Sequence, residues 1–399
     1  MGDLFEAERH ELLSGGEWNA EAVRSAILNI ARATRGALCG EDLWPSHVDD
    51  QAIGTGPFSD LYVGATGVIW ALDHLVREGA IDSGASLAGL LPGIRCRNRQ
   101  DLSTQGFPTT SFLVGEAGIL FTQWKITRSP DLLDELAVVI AANMGDPALE
   151  FMWAAPGTML VALALHEATR EARWSELYRL AADHLLDTLI YEPEFGCRLW
   201  TQHLYGHRAK LLGAVHGFAG NAFALLRGME MLPQARQDQL SAWIAETVAA
   251  TAVQGDLGLN WPQSVGPSRP GRTAMLIQHC HGAPGIVNAL AEFAEPIDDI
   301  LVRAGELIWS AGPLRKGLGL CHGTSGNGFA FLKLFARTGD EKWLHRARLF
   351  AMHAIGQSEA RAARVGQHRY SLWTGDLGLA CYLLECDRAT ARFPTWDAL

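Results

Sequence analysis

The sequence predicts an all-α fold in which seven helical hairpins close into a double-layered α/α toroid. Two observations indicate this fold. A small residue followed three positions later by glycine recurs seven times, and an apolar run comes directly after each copy. Between the copies lie amphipathic segments, whereas stretches typical of strands are sparse and short. Repeats spaced by about 40 to 65 residues indicate supersecondary units that bury their faces against their neighbours.

The glycine motif predicts the start of an inner helix in each repeat. The copies read GATG, GEAG, AAPG, GFAG, GAPG, GTSG and GDLG, and they begin at positions 64, 115, 154, 217, 282, 323 and 375. Glycine permits a sharp turn and a close approach of backbones where the loop enters the helix. The apolar run that follows is hydrophobic nearly all round, as expected for a helix buried on most sides.

The segments between the motifs predict the outer helices. In TRSPDLLDELAVVIAANM, Ser129 is expected to cap the helix, with Pro130 at its first position. In TGDEKWLHRARLFAMHAI, the residues Trp343, Ala347 and Phe350 stand at helical spacing and predict a buried stripe.

No shift in composition marks a linker, so residues 1–399 are predicted to form one toroid domain. The Gly/Pro-rich residues 266–271 are expected to form a loop near the site rather than a domain boundary. Repeats alone leave a second interpretation open, namely a helical solenoid without an active site.

Composition excludes several classes of protein. With 48% hydrophobic and 19% charged residues, the chain can bury a large core. Its net charge of −11 argues against nonspecific binding to nucleic acid, which requires a basic surface. The N-terminus lacks a secretory pattern, and the apolar stretch 151–165 is too short to span a membrane. Seven cysteines, an odd number, argue against a disulfide framework, and together these features predict a cytoplasmic protein.

Two Cys-His pairs predict a metal site. Cys280-His281 and Cys321-His322 each stand directly before a repeat glycine, and the two cysteines are 41 residues apart. This separation is too long for a local zinc finger, but the starts of adjacent inner helices face the same mouth of a toroid. Zinc prefers cysteine and histidine ligands, and catalytic sites leave a fourth position open. We therefore expect two thiolates and one imidazole to bind one zinc ion, although spacing does not decide between the histidines. A buried cysteine acting as a small apolar residue is the alternative.

The segments around these pairs resemble the lanthionine synthetase C-like family, which includes bacterial lanthipeptide cyclases and eukaryotic LanC-like proteins. The glycine motifs extend the resemblance over nearly all of the chain, and its most specific part runs from Asn260 to Leu384. The matching segments, which look more like the eukaryotic glutathione-adding branch, are NWPQSVG, QHCHGAPG, LIWSAGPLRKGLGLCHGTSGN and YSLWTGDLG.

The resemblance implies an α/α toroid with one Zn²⁺ per chain, held by Cys280, Cys321 and His322, and it leaves His281 as a neighbour. The family usually has tryptophan where this chain has His279. This extra imidazole beside the metal is a candidate for contacting the substrate or tuning its access, with an inert residue as the alternative; it is not predicted to be a metal ligand.

Zinc lowers the pKa of a bound thiol, so that a thiolate forms at neutral pH. A thiolate adds to the β-carbon of dehydroalanine or dehydrobutyrine, and the resulting enolate requires a proton from a general acid. His216, in GAVHGFAGN, stands at a repeat start, and imidazole titrates near neutral pH. The resemblance implies a catalytic role for His216 and a supporting acid–base role for Glu150, where peptide cyclases have aspartate.

Lys316, in LRKGLGLCHG, is a candidate for binding the thiol substrate. In the glutathione-adding relatives, a lysine at the matching position contacts the acidic groups of the tripeptide. Arg369, in HRYSLWTG, is a second candidate for the same role.

These residues predict an enzyme that adds glutathione, or another small thiol, to dehydroamino acids in peptides or proteins. The first alternative is a lanthipeptide cyclase, in which a cysteine of the peptide itself attacks. The second is a noncatalytic scaffold that binds a peptide or glutathione. A toroidal glycosidase would require paired carboxylates across the mouth, where this chain has cysteines and histidines.

Overall fold

The computed structural model describes residues 4–40, 43–266, 274–294 and 296–399, so most of the predicted loop at 266–271 lies outside the described residues. Within them the chain forms fourteen α-helices. These are α1 (Ala20–Gly36), α2 (Ala65–Arg77), α3 (Leu91–Thr104), α4 (Glu116–Thr127), α5 (Asp131–Asn143), α6 (Ala155–Thr169), α7 (Ala172–Asp187), α8 (Phe218–Arg227), α9 (Gln234–Thr251), α10 (Ala283–Leu290), α11 (Asp298–Ala311), α12 (Thr324–Thr338), α13 (Glu341–Val365) and α14 (Asp376–Arg388).

The even-numbered helices form a closed inner ring. Each packs against the next, from α2 through to α14, and α14 then packs against α2. The odd-numbered helices lie outside this ring, and α1 packs against α14, so the first helix of the chain completes the last hairpin. The predicted α/α toroid of seven hairpins is therefore confirmed.

Burial distinguishes the two layers as the patterns predicted. All eight residues of α10, an inner helix, are buried. In the outer helix α13, by contrast, burial follows one stripe that includes Trp343, Ala347 and Phe350. The inner helices thus have neighbours on all sides, whereas the outer helices expose a polar face.

The glycine that ends every motif is required by a close backbone contact. A Cβ atom placed on any of these seven glycines would lie 1.8–2.5 Å from the carbonyl oxygen of the residue six positions earlier. Such an approach is impossible for any other residue without a shift of the backbone. The motif therefore marks the point where each loop folds back onto the first turn of its own inner helix.

Loop carbonyls also cap these helices. In several inner helices the first backbone N–H group bonds to the carbonyl oxygen seven residues earlier, as in Glu116 to Thr109 (2.7 Å), Thr324 to Gly317 (2.9 Å) and Asp376 to Arg369 (3.0 Å). Helix α10 differs, because Asn260 Oδ1 accepts its first N–H, that of Ala283, at 2.8 Å. Among the described residues, the N-cap residue of an inner helix never caps it with its own side chain. The backbone of the loop thus satisfies donors that side chains satisfy in other helices.

One predicted cap is wrong. Helix α5 begins after Pro130, which is itself the N-cap, and no side chain caps it. Ser129 instead belongs to the short turn from α4, in which Arg128 adopts a left-handed conformation and Thr127 Oγ1 accepts the Ser129 N–H. The connection is too short to give Ser129 a separate capping geometry.

In the part of the chain that the structure describes, seven short strands lie in three small sheets beside the helices. They are β1 (Ile190–Glu192), β2 (Cys197–Leu199), β3 (Gln202–Leu204), β4 (His207–Leu211), β5 (Val253–Gly255), β6 (Gly258–Asn260) and β7 (Ser264–Val265). The pairs β1–β2, β3–β4, β4–β7 and β5–β6 are all antiparallel. The hairpin β3–β4 precedes the inner helix α8, so it stands at the same mouth as the glycine loops.

Residues 393–399 fill the centre of the ring. The Trp396 ring stacks on Phe223 at 4.3 Å between centroids and packs on Phe151 at 4.9 Å. Asp397 bonds to the buried ammonium group of Lys333 in α12 at 2.9 Å. The inner ring therefore encloses a packed aromatic core rather than an open channel.

Two further findings concern the chain as a whole. All seven cysteines lie in the described residues and are free thiols, as predicted. None of the helices in the described part of the chain combines the length and apolar character needed to cross a bilayer.

The close contact at the glycine that ends each motif is expected to dominate stability. In Gly118→Ala, the new methyl group would lie 2.1 Å from the Phe112 carbonyl oxygen, so we expect the free energy of unfolding to fall by about 3 kcal/mol. Gly93→Ala is the matched control, because its Cβ meets nothing within 4 Å and alanine favours a helix by about 0.5–1 kcal/mol. Denaturant unfolding measures both, and equal effects of the two substitutions would contradict the interpretation.

Candidate metal centre and catalytic cleft

Backbone hydrogen bonds join the loops at the mouth of the toroid. They involve the residue two positions before the start of a repeat. The N–H of Cys280 donates to the Cys321 carbonyl at 3.0 Å, and the N–H of Cys321 donates to the Trp373 carbonyl at 2.9 Å. The series continues with the N–H of Trp373, which donates to the Tyr62 carbonyl, and the N–H of Tyr62, which donates to the Leu113 carbonyl, both at 3.0 Å. Equivalent residues of neighbouring repeats are thereby held side by side.

This register brings together the three predicted metal ligands. The sulfur atoms of Cys280 and Cys321 and a ring nitrogen of His322 lie within 4.8 Å of one another. Both cysteines are buried and His322 is half-buried. Two thiols and one imidazole on one side of an open cleft match the donor set of a catalytic zinc site. These residues could hold a metal ion.

The two thiols interact strongly. A hydrogen bond from Cys321 lowers the pKa of the Cys280 thiol, and the neighbouring His322 acts in the same direction. Burial raises the pKa of Cys321, and its hydrogen bond with Cys280 adds to that effect. Without a cation, the pair therefore favours one negative charge over two. A bound cation offsets this repulsion and allows both sulfurs to ionise.

Two side chains that the sequence interpretation did not single out contact the sulfur atoms. The amide nitrogen Nε2 of Gln278 donates to Cys280 Sγ at 3.0 Å. The Tyr62 hydroxyl forms a hydrogen bond with Cys321, and burial raises the pKa of Tyr62 well above its usual value. The tyrosine therefore stays protonated and donates to the sulfur. Tyr62 precedes its repeat by the same two positions as Cys280 and Cys321, a register that was available in the sequence.

His216 and Glu150 form a pair in the structure. Nδ1 of His216 lies 2.7 Å from a carboxylate oxygen of Glu150. The carboxylate is fully buried and also accepts the backbone N–H groups of Met152 (3.1 Å) and Trp153 (2.7 Å). Glu150 thus fixes the orientation of the imidazole.

The paired histidine and the sulfur cluster line one cleft of about 270 Å³. The hairpin β3–β4 forms one wall, and the glycine loops form another. His281 lies in the cleft with its ring 6.2 Å from that of His216, between centroids. The residues that line the cleft are Tyr62, Gln202, Leu204, Tyr205, His207, Ala209, Leu211, His216, Gln263, Ser264, Gln278, Cys280, His281, Lys316, Cys321 and His322.

Lys316 borders this cleft and a neighbouring cavity of about 520 Å³. Its positive charge is near enough to favour the ionised form of Cys321. Arg369 lies in the neighbouring cavity, where Nε bonds to both carboxylate oxygens of Asp50 at 3.1 Å. The two residues predicted to bind the thiol substrate therefore share the second cavity, but only Lys316 reaches the sulfur cluster.

His279 is not on the substrate side, where the sequence interpretation put it. Its side chain is fully buried and stacks on Phe393 at 4.5 Å and edge-on against Trp396 at 4.9 Å. Nδ1 lies 3.1 Å from the amide nitrogen of Asn288. His279 directly precedes Cys280, and its side chain points into the core while the Cys280 sulfur points into the cleft.

Comparison with known proteins gives one matching family and several relatives. The model of the family described as lanthionine synthetase C-like protein matches residues 58–397. A protein from Danio rerio, glutathione S-transferase LANCL1, is 30% identical over 198 residues, which are 48% of this chain and 47% of that protein. The LanC-like protein GCL1 of Arabidopsis thaliana is 28% identical over 237 residues, 54% of this chain and 47% of that protein. The aligned part thus spans about half the length of these relatives.

Among solved structures, nisin cyclase shares the fold. Its TM-score is 0.62 with 17% sequence identity, and the match covers 91% of this chain and 95% of that chain. The likeness therefore extends to the whole toroid.

The buried His279 is expected to make the fold sensitive to acid. Burial lowers the pKa of His279 to about 3, so between pH 6.5 and pH 3 the unfolded chain binds a proton that the folded chain excludes. For this group alone, the free energy of unfolding should fall by about 2 kcal/mol between pH 7 and pH 5. In His279→Phe, urea unfolding of the metal-free protein at both pH values should show a smaller loss, by about that amount. Equal losses in parent and variant would contradict the prediction.

Proposed function

The chain belongs to the lanthionine synthetase C-like family, and from this premise we propose that it adds a thiol to dehydroamino acids in a zinc-dependent reaction. The thiol is glutathione, and the acceptor is a dehydroalanine or dehydrobutyrine residue of a peptide or protein. The product is a thioether. The single observation that supports this function most is the group formed by Cys280, Cys321 and His322 at the bottom of an accessible cleft.

The donor set suits zinc. Two sulfur atoms and one imidazole nitrogen are typical ligands of zinc, and the cleft in front of them leaves space for a further ligand. When bound, zinc would supply a positive charge that lowers the pKa of an incoming thiol, so that the thiolate exists at neutral pH. Gln278 and Tyr62 would keep the two cysteine sulfurs oriented through their hydrogen bonds.

His216 is proposed to transfer the proton during the addition of the thiol to the dehydroamino acid. The thiolate forms a C–S bond at the β-carbon, the C=C bond loses its π electrons, and the α-carbon then takes up a proton. Because Nδ1 is engaged by Glu150 at 2.7 Å, the exchange with substrate would run through Nε2. The buried carboxylate would stabilise the imidazolium form, as an aspartate does for the histidine of a catalytic triad. Thiol deprotonation and α-carbon protonation balance, so no oxidant or reductant is required.

Charge favours an anionic thiol. The chain carries a net charge of −11, yet the cavity beside the sulfur cluster is lined by five basic residues and three acidic ones. Two of the basic residues are paired, Arg369 with Asp50 and Arg361 with Asp49. The basic residues are Arg315, Lys316, Arg361, Arg364 and Arg369, and the acidic ones are Glu11, Asp49 and Asp376. Glutathione carries two carboxylates, and a local basic surface would attract them. The name of the Danio rerio relative, glutathione S-transferase, supports the same thiol.

Product mass tests the proposal. The zinc-loaded protein would be incubated with glutathione and a peptide that carries one dehydroalanine and one free cysteine. We expect an adduct whose mass equals the sum of peptide and glutathione, formed faster than with 2-mercaptoethanol at equal concentration. Cys321→Ala should reduce the rate to background, because it removes one thiolate of the metal site.

The other outcomes separate the alternatives. Loss of the free thiol without a change of mass would indicate a ring and thus a cyclase. Rates equal to the Cys321→Ala background for both products would contradict an enzymatic function and favour a binding protein.

Metal content gives a test that does not depend on activity. Protein purified with zinc and dialysed should retain one Zn²⁺ per chain by elemental analysis, whereas Cys280→Ala, Cys321→Ala and His322→Ala should retain less than about a tenth. His281→Ala is the matched control, since His281 lies in the same cleft but outside the group of ligands. Equal retention by all four variants would overturn the ligand assignment.

A further inference from the structure

Another cavity, here called the far cavity, lies at the end of the toroid opposite the cleft. It occupies about 480 Å³, and the last turns of α2, α4 and α8 contribute to its wall, together with α6 and the C-terminal segment. The metal centre lies at the first turns of the inner helices. Because α4 has twelve residues, the two ends are about 18 Å apart along the axis. The far cavity is therefore separate from the catalytic cleft.

A buried lysine stands in the wall of this far cavity. Lys125 is only 9% exposed, and its Nζ lies 4.7 Å from the centroid of the Trp70 ring. No carboxylate of the described residues lies within 4.0 Å of this amine. Lys333, also buried, bonds to Glu292 at 2.7 Å and to Asp397 at 2.9 Å. In the described part of the chain, Lys333 thus has two anionic partners within 4.0 Å, whereas Lys125 lies against the face of an aromatic ring and has none within that distance.

The rest of the cavity wall contains apolar groups and charges of both signs. Four arginines face three carboxylates, of which Glu78 pairs with Arg388 and Arg392 and Asp397 pairs with Lys333. The arginines are Arg77, Arg128, Arg227 and Arg392, and the third carboxylate is that of Glu167. The Arg128 guanidinium lies 4.4 Å from the centroid of the Trp124 ring, and among the described residues it too has no carboxylate within 4.0 Å. Phe121, Leu160 and Leu163 supply an apolar surface. A wall of this kind suits an organic anion that has an apolar body.

We propose that the far cavity binds a small organic anion that carries an aldehyde or ketone group, and that the Lys125 amine condenses with this group to form an imine. The nitrogen lone pair forms a bond to the carbonyl carbon, the C–O bond breaks, and the oxygen leaves as water with the two protons of the amine. The reaction is reversible and consumes no oxidant or reductant. Arg128 holds the anionic group of the ligand.

The protonation state of the site supports this chemistry. Burial lowers the pKa of Lys125 to about 8; among the charged neighbours, Arg77 and Arg128 act in the same direction, whereas Asp73 and Cys381 oppose it. A usable fraction of the amine is therefore neutral at physiological pH, as in lysines that form Schiff bases.

His74 completes the set of titratable groups near the amine. Its ring stacks on Trp70 at 4.9 Å between centroids and lines the cavity. Burial lowers the pKa of His74 to about 4, with Lys125 acting in the same direction. The imidazole is therefore neutral and can accept a proton during the loss of water.

Pyridoxal 5′-phosphate is a suitable probe, because it joins an aldehyde to an apolar ring and an anionic group. The full chain would be treated with it between pH 6 and pH 10, reduced with borohydride and mapped by mass spectrometry. We expect modification of Lys125 with a midpoint near pH 8. At pH 7.5 its rate should exceed that of Lys333 and of the exposed Lys342 by at least about tenfold.

Variants separate binding from reactivity. Lys125→Met should remove the modified peptide, and Arg128→Met should slow modification by pyridoxal 5′-phosphate while leaving the rate with uncharged pyridoxal unchanged. Cys321→Ala should label like the parent chain, so this result is independent of the proposed thiol addition. Equal labelling of Lys125 and Lys342, or no labelling of Lys125 in the folded parent chain, would overturn the proposal. So would an equal effect of Arg128→Met on both aldehydes. The parent-chain result stands even if a variant does not fold.

Discussion

The series of backbone hydrogen bonds between neighbouring loops is the constraint on which the site depends. Each bond uses the N–H of a residue two positions before its repeat, and the contacted residue occupies the same position in the next repeat, as with Cys280 and Cys321. Their backbones are held in register, so their side chains need little further ordering to meet. The glycines make this register possible, because only they allow the loop carbonyls to lie against the first helical turn. The grouping of Cys280 and Cys321 and the fold therefore have the same physical origin.

Residues 393–399, which fill the centre of the ring, pack against the loops that carry the two cysteines. The Trp373 indole donates to Thr395 Oγ1 at 3.1 Å, and His279 stacks on Phe393 and packs edge-on against Trp396. Trp373 accepts the backbone bond of Cys321, and His279 adjoins Cys280, so both cysteines stand on residues packed into this aromatic core. A site held by packed neighbours loses little entropy when it binds a ligand.

The repeat pattern predicted seven helical hairpins, but it left an open solenoid as an alternative to the ring, and the family resemblance favoured the ring. The repeat pattern also predicted that Cys280 and Cys321 would meet, since equivalent positions of adjacent repeats are neighbours in a ring. The pairing of His216 with Glu150 joins positions 66 residues apart, and no periodicity in the sequence predicts it; the family resemblance only named the two residues. Ser129 and His279 could not be assigned correctly, because a three-residue turn and the direction of one side chain depend on packing. Tyr62 is different. It stands in the same register as the two cysteines, which was visible in the sequence, but tyrosine is not a residue type associated with zinc binding.

The packing of α1 against α14 has a consequence for how the protein unfolds. In an open solenoid, a terminal unit borders one neighbour, so stability is approximately a sum of local terms and the ends fray first. In this ring every inner helix borders two others, because α14 packs against α2 and closes the series. Unfolding any one hairpin therefore disrupts its interfaces with two neighbours, wherever in the ring that hairpin lies. Ring closure thus converts a one-dimensional array into a cooperative unit that lacks a weak end.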